Sequence, residues 1–282
     1  MLIEYPLGPL GRLKREFLRR RDRIRPVGML DKIRYGLEER GHYAYCLYHA
    51  ARLAARLGVP RISVLEFGVA GGNGLVALER ISAGLRQDGA LPVEVEIYGF
   101  DTGQGMPPPD GVEDLPYWFR EGQYRMDQTA LKARLTEAKL EIGPVRDTVP
   151  AFLARGTAAP IGAMLIDVDY FSSTQDCLRI FDSDALVAQF LPRIHLYLDD
   201  IIGQEWEMYG PHSGMLKAVA DFNARHSDKT IHLNQNLLNH GHLRYRHQIY
   251  YAHLLAHPSY SNYIGNESQS RLEEFLRLSS SP

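Results

Sequence analysis

Val64-Leu65-Glu66-Phe67-Gly68-Val69-Ala70-Gly71-Gly72-Asn73-Gly74 is the stretch that decides how this chain folds. The β-branched and apolar run over residues 62–67 reads as a short buried strand. Glycines at 68, 71, 72 and 74 follow it, and helical spacing of apolar residues resumes over 75–85. Glycine takes positive φ cheaply and lets a ligand or another backbone come close. A strand that turns through glycines into a helix presents the free N–H groups of the helix start, a setting suited to a carboxylate or phosphate.

Outward from this turn, strands and helices alternate. Residues 93–100, 140–145, 163–168 and 194–198 read as further strands. Helical patterns fall at 130–138, 148–154, 174–180 and 215–226. Such alternation implies a parallel sheet covered on both faces. Two late strands, 230–233 and 248–254, lie close together and read as an antiparallel pair that closes the sheet. Upstream, residues 42–57 form a helix that Gly58 and Pro60 stop. The expected fold is α/β: a Rossmann-like, doubly wound, mostly parallel seven-stranded sheet with an antiparallel C-terminal strand pair and an N-terminal helical extension. Residues 107–124, rich in Pro, Gly and aromatics, show no clean period and read as a lid or binding loop beside the ligand edge.

The bulk properties exclude several classes. A chain of 282 residues holds one large α/β domain with extensions or two small ones. Apolar residues at 45% and charged residues at 23% are ordinary for a globular protein. The net charge of -2 supplies no global field for nucleic acid, so none is expected as a partner. No apolar run approaches the roughly 18 residues of a membrane-spanning helix, and the N-terminus lacks the order of a secretory signal. Cys46 and Cys177 are far apart in sequence and form no ligand motif, which fits a reducing, cytoplasmic location. A basic helix is expected over 10–25, with Leu10, Leu13, Phe17 and Ile24 near one face. That face would meet an acidic membrane surface, its own domain or a second subunit. The N-terminal helices are the expected contact of a homo-oligomer.

Two cofactors fit parts of the glycine turn. Gly72-Asn73-Gly74-Leu75-Val76-Ala77 satisfies the dinucleotide pattern G-x-G-x-x-A, and an acid follows about 20 residues later. Asp101, at the end of the next strand, is placed to accept ribose hydroxyls. The longer pattern of Glu66, Gly68, Gly72 and Gly74 resembles the first motif of class I S-adenosylmethionine-dependent methyltransferases. An acid before the loop suits an ammonium group, which S-adenosylmethionine carries, and repels a pyrophosphate.

Acids also end the later strands, as Ile166-Asp167-Val168-Asp169-Tyr170 and Leu198-Asp199-Asp200-Ile201. In a parallel sheet both ends reach the ligand edge. Crowded carboxylates repel unless a cation joins them, and oxygen-only ligands favour Mg²⁺. Asp169 could instead cap the following helix.

A narrower likeness lies in the order of several pieces. Tyr98-Gly99-Phe100-Asp101-Thr102, Gly105-Met106-Pro107, Asp147-Thr148-Val149-Pro150, the run from Ile166 to Tyr170 with Ser172-Ser173-Thr174, and Asp199-Asp200 together resemble the macrocin O-methyltransferase (TylF-like) family over about residues 60–225. The resemblance implies methyl transfer to sugar hydroxyls of antibiotics and related metabolites, with Mg²⁺. It implies Asp167, Asp199 and Asp200 as metal ligands, and Glu66, Gly68 and Asp101 as cofactor contacts, with Gly72, Gly74, Thr102 and Asp167 beside them. The chain departs from the family at Val168, at Pro192-Arg193-Ile194-His195 and at Gly103-Gln104, positions expected on the floor and rim of the acceptor site.

The expected activity is therefore Mg²⁺-assisted O-methylation of a small hydroxylated acceptor such as a saccharide, a glycoside or a secondary metabolite. Asp169 or His212 is the candidate general base. Two alternatives stay open: a metal-independent enzyme using a His or Asp base, and a non-catalytic methyltransferase-like binding subunit. Residues 234–247, with His240, His242, Arg244 and His247, read as a polar wall of the acceptor pocket or as a solvated turn. The expected organisation is a helical extension over 1–58, the cofactor-binding domain over 59–265 and a tail over 266–282.

Overall fold

The computed structural model describes residues 8–265, 272–274 and 276. The helices are α1 (Pro9–Asp22), α2 (Met29–Tyr35), α3 (Gly41–Arg56), α4 (Asn73–Gln87), α5 (Gln128–Arg134), α6 (Val145–Arg155), α7 (Phe171–Leu178) and α8 (Gly214–Arg225). The strands are β1 (Arg61–Phe67), β2 (Glu94–Asp101), β3 (Lys139–Ile142), β4 (Ile161–Ile166), β5 (Phe190–Leu198), β6 (Lys229–Leu233) and β7 (Ile249–Leu254). The expected α/β sheet is present. Seven strands run in the order β3-β2-β1-β4-β5-β7-β6, with parallel pairing from β3 to β5. β7 enters antiparallel between β5 and β6.

The central strands are apolar because both faces are covered. β1 buries six of its seven residues and β4 all six. Alternate side chains divide between two cores. Val64, Ala163 and Leu165 pack with Tyr43 and Leu47 of α3 and Leu75 and Leu78 of α4. Leu65, Phe67, Met164 and Ile166 pack with Phe152 of α6, Leu178 of α7 and Phe222 of α8. Glu66 shares the parity of Val64, so its side chain lies on the α3 side.

Strand order reverses between β1 and β4, the switch point that leaves a crevice beyond the strand ends. The sheet closes tightly at that point. The Asp167 N–H donates to the Phe67 carbonyl at 2.9 Å, and the Gly68 N–H to the Phe100 carbonyl at 2.9 Å. Gly68 has φ +83°, and a Cβ there would overlap the Asp167 carbonyl oxygen.

α1 buries Leu18 against Val27 and Tyr35 but leaves Leu10, Leu13 and Phe17 exposed, as is Ile24 just after it. Residues 107–124 are largely irregular, with one 3-10 turn at Val112–Asp114. Leu115 and Phe119 hold the segment down against Met106 and Tyr170. Buried Asp114 accepts from the Ser172 N–H at 2.8 Å and the Ser172 hydroxyl at 2.7 Å. Among the described residues, no helix is long and apolar enough to cross a membrane.

Gly68→Ala is expected to destabilise the fold strongly. Left-handed backbone at a non-glycine residue costs about 1–3 kcal/mol, and the clash with Asp167 adds to it. Urea unfolding checks this, and a wild-type midpoint would contradict the closure described.

Candidate functional site

A cavity of about 410 Å³ opens at the switch point. Its floor is the glycine turn. Gly72, at φ +77°, lets the turn pass Leu131 of α5, where a Cβ would overlap the leucine side chain. Arg134 of α5 braces the turn from outside, donating to the Gly71 carbonyl at 3.2 Å and to Asn73 Oδ1 at 3.0 Å. At Gly74 a Cβ would overlap Oε1 of Glu66, so this glycine clears room for the acid.

Glu66 is 2% exposed. Its Oε1 accepts from the Tyr43 hydroxyl at 2.6 Å. Its Oε2 is buried with no hydrogen-bond partner among the described residues. Burial pushes the Glu66 carboxyl up to about 8, although Tyr43 and Arg40 oppose the rise. Arg40, just before α3, lines the cavity and lies 5.1 Å from the centre of the Tyr43 ring.

Asp101 faces the same cavity from the end of β2. Its Oδ2 accepts from Val69 N–H and Ala70 N–H, both at 2.9 Å, and its Oδ1 from Gly103 N–H at 2.6 Å. The carboxylate thus ties the glycine turn to the β2 exit. Thr102 lies beside it and donates to the Gly105 carbonyl at 2.8 Å.

The ends of β4 and β5 bring Asp167, Asp199 and Asp200 together, with one oxygen of each within 4.8 Å of the others. Burial, then the charges of Asp199 and Asp200, drive the Asp167 carboxyl well above the usual range. Asp200 rises strongly as well, through burial and then Asp169. Three carboxylates this close together form a donor set suited to a hard divalent cation. The Tyr197 hydroxyl bonds Asp199 Oδ1, and Gln248 Nε2 donates to the Asp199 carbonyl at 2.9 Å.

Asp169 lines the cavity with φ +60°, and its N–H donates to Asp200 Oδ2 at 3.0 Å. It does not cap α7, whose N-cap is Tyr170. His212 is exposed and is not among the residues lining the cavity.

Two expectations need correction. Residues 234–247 contribute nothing to the lining of this cavity, nor are they simply a solvated turn: Asn234 and His240 are buried, and His240 lines a different cavity. Arg193 and His195 line that other cavity as well, not the floor or rim of the first. The sequence reading also missed Arg40, Tyr43 and Arg146. All but Tyr43, which contacts the site through Glu66, line the first cavity. The basic and aromatic residues around position 40 were the available signal, but nothing local tied them to Glu66.

Burial of Glu66 has a signed consequence for stability. With its carboxyl raised from 4.5 to about 8 in the fold, its contribution is complete below about pH 4.5 and is lost as pH rises through about 8. The fall in melting temperature between pH 5 and 8 should therefore be smaller in Glu66→Gln than in wild type. Parallel curves for the two proteins would refute the burial effect.

No protein-family model matches the chain, and no curated protein matches its sequence. Solved structures do. The calicheamicin methyltransferase CalS11 superposes with a TM-score of 0.50 at 18% identity, covering 87% of this chain and 93% of its own. The O-methyltransferase NovP gives a TM-score of 0.50 at 15% identity, covering 76% of this chain and 79% of its own. With the sheet order above, these likenesses show that the chain has the Rossmann-like fold seen in these methyltransferases.

Proposed function

We propose that the protein is an S-adenosylmethionine-dependent O-methyltransferase, assisted by Mg²⁺, that acts on a hydroxyl of a saccharide, a glycoside or a secondary metabolite. One observation carries this reading: the buried acid of the glycine turn, the β2 carboxylate and the three-aspartate cluster all belong to one cavity. The cofactor fits an atom that lacks a partner. Oε2 of Glu66 is buried and unbonded among the described residues, and an ammonium group would satisfy it. Asp101 and Thr102 would receive the ribose hydroxyls, while Gly68, Gly72 and Gly74 keep the floor clear.

Asp167, Asp199 and Asp200 would hold the metal. When bound, S-adenosylmethionine supplies an electrophilic methyl group and Mg²⁺ a Lewis acid that lowers the pKa of an acceptor hydroxyl. The chain's own part is to orient and to accept a proton. Asp169 is the better base of the two candidates, because it lines the cavity and His212 does not. Met106, Pro107 and Tyr124 line the same cavity from the irregular segment and its flanks, and would shield the reacting groups from water. The O-methyltransferase named among the similar structures supports an acceptor with a hydroxyl group.

In this reading residues 59–265 bind the cofactor, and α1 serves self-association. Its exposed Leu10, Leu13 and Phe17 carry the contact.

Calorimetry of metal-stripped protein, first with S-adenosylhomocysteine and then with Mg²⁺, tests the proposal. Micromolar nucleoside binding followed by a separate Mg²⁺ heat is expected. Asp101→Ala should cost about 1.5–3 kcal/mol of nucleoside affinity. Asp199→Asn and Asp200→Asn should remove the Mg²⁺ stimulation of methyl transfer and spare nucleoside binding. No nucleoside binding would overturn the cofactor assignment, and full metal stimulation in both variants would overturn the metal site. Separately, Phe17→Glu should lower the mass seen by light scattering if α1 joins subunits; an unchanged oligomer excludes that contact.

A further inference from the structure

A second cavity, of about 840 Å³, lies between α3, the β5–β7 region and the segment around 235–240. It shares no lining residue with the first. Its wall is made of donors and rings. Arg52, Arg56 and Arg193 line it with His49, His195, His240 and His253, and none of its described lining residues is acidic. Nor does any of the three arginines form an ion pair with a carboxylate among the described residues. Arg56 donates to the Ile264 carbonyl at 2.8 Å and Arg193 to the Tyr260 carbonyl at 2.9 Å, both of them neutral partners.

Several buried polar atoms in this wall lack partners. They are Nε and Nη2 of Arg193, Nε2 of His49, Nδ1 of His195 and both ring nitrogens of His240, each without a hydrogen bond among the described residues. His195 and His240 are 6% and 3% exposed. Unsatisfied buried polar atoms on this scale are rare unless something completes them. Burial holds the His49 imidazole well below its usual range and His195 down to about 3, so both rings are neutral. The arginines carry the fixed positive charge of the site, and His49 and His195 contribute hydrogen bonds and ring faces. No three of these side chains converge tightly enough to form a metal site. The rings form a continuous set instead: Tyr45 lies 4.2 Å from His49, His49 stacks on His195 at 6.0 Å, and Tyr251 meets His195 edge-on at 5.1 Å.

We infer that this cavity is a second ligand site, which takes a small molecule bearing an oxyanion, a phosphate or a carboxylate, on a flat ring. Arginine forks pair with such oxyanions through two parallel hydrogen bonds, and neutral imidazoles supply further donors. The ring of the ligand lies along Tyr45, His49 and Tyr251. The volume falls within the range of small-molecule sites. The assignment does not depend on the proposed methyl transfer.

Titration with phenyl phosphate, benzoate and neutral benzyl alcohol tests the site, read by calorimetry and by the imidazole signals of His49 and His195. At least one of the two anions should bind saturably with a Kd below about 1 mM and move both histidine signals, with no response to the alcohol. The tighter of the two identifies the anion the site prefers. The double variant Arg52→Gln/Arg56→Gln should weaken that binding by about tenfold or more, and saturating S-adenosylhomocysteine should leave it unchanged. Absence of saturation for both anions, unmoved histidine signals in the wild-type protein, undiminished binding in a folded double variant, or competition by the nucleoside would each overturn the inference.

Discussion

A carboxylate buried beneath a glycine turn is the constraint around which the first cavity is built. Glu66 sits on a strand that is otherwise apolar apart from buried Ser63 and exposed Arg61, and its charge is costly there. Three neighbours reduce that cost or make room. Tyr43 reaches across from α3 to donate to one oxygen, Gly74 gives up its side chain so that the acid fits, and Arg40 lends a positive field. The second oxygen is left without a partner. Such an arrangement is expensive for folding alone and sensible for a cationic ligand.

The parallel sheet supplies the rest without special devices. Strands that run the same way end at one edge, so acids placed at successive strand ends gather there. Asp101 differs from the other acids in how many backbone partners it has: three N–H groups engage it. It holds the glycine turn in shape as well as facing the cavity. The aspartates after β4 and β5 have fewer such partners, among them one backbone N–H on Asp200 and the Tyr197 hydroxyl on Asp199, and they crowd one another.

Legibility in the sequence followed the range of the interactions. The strand–glycine–helix turn was readable because every residue that makes it is local, and the alternating pattern gave the sheet. α2 was not readable. Its seven residues carry no sustained period, and its second N–H, from Leu30, is satisfied by Asp88, fifty-eight positions along the chain. Arg40 and Tyr43 reach the site through the packing of α3 on the sheet, which no spacing rule encodes. His212 is only twelve positions after Asp200, yet the intervening loop leaves it exposed. The polar segment 234–247, read as a wall of the acceptor pocket or as a solvated turn, lines part of the other cavity, because β7 turns back between β5 and β6, which carries it towards the α3 side. The same return accounts for Arg193 and His195. Both lie in a stretch of β5 whose pairing with β4 slips, from Ile161 opposite Phe190 to Ala163 opposite His195. Pro192, which cannot donate to a ladder, falls within that irregular stretch.

The fit among Tyr43, Glu66 and Gly74 has an evolutionary corollary. A hypothetical Cβ at position 74 overlaps the acid and lies 2.8 Å from the Tyr43 hydroxyl, so the three positions share one small volume. None can change size or polarity alone without stranding a charge or filling its space. Across a set of related chains, positions 43, 66 and 74 should therefore vary together or not at all, leaving in the alignment a record of a contact that spans thirty-one residues of sequence.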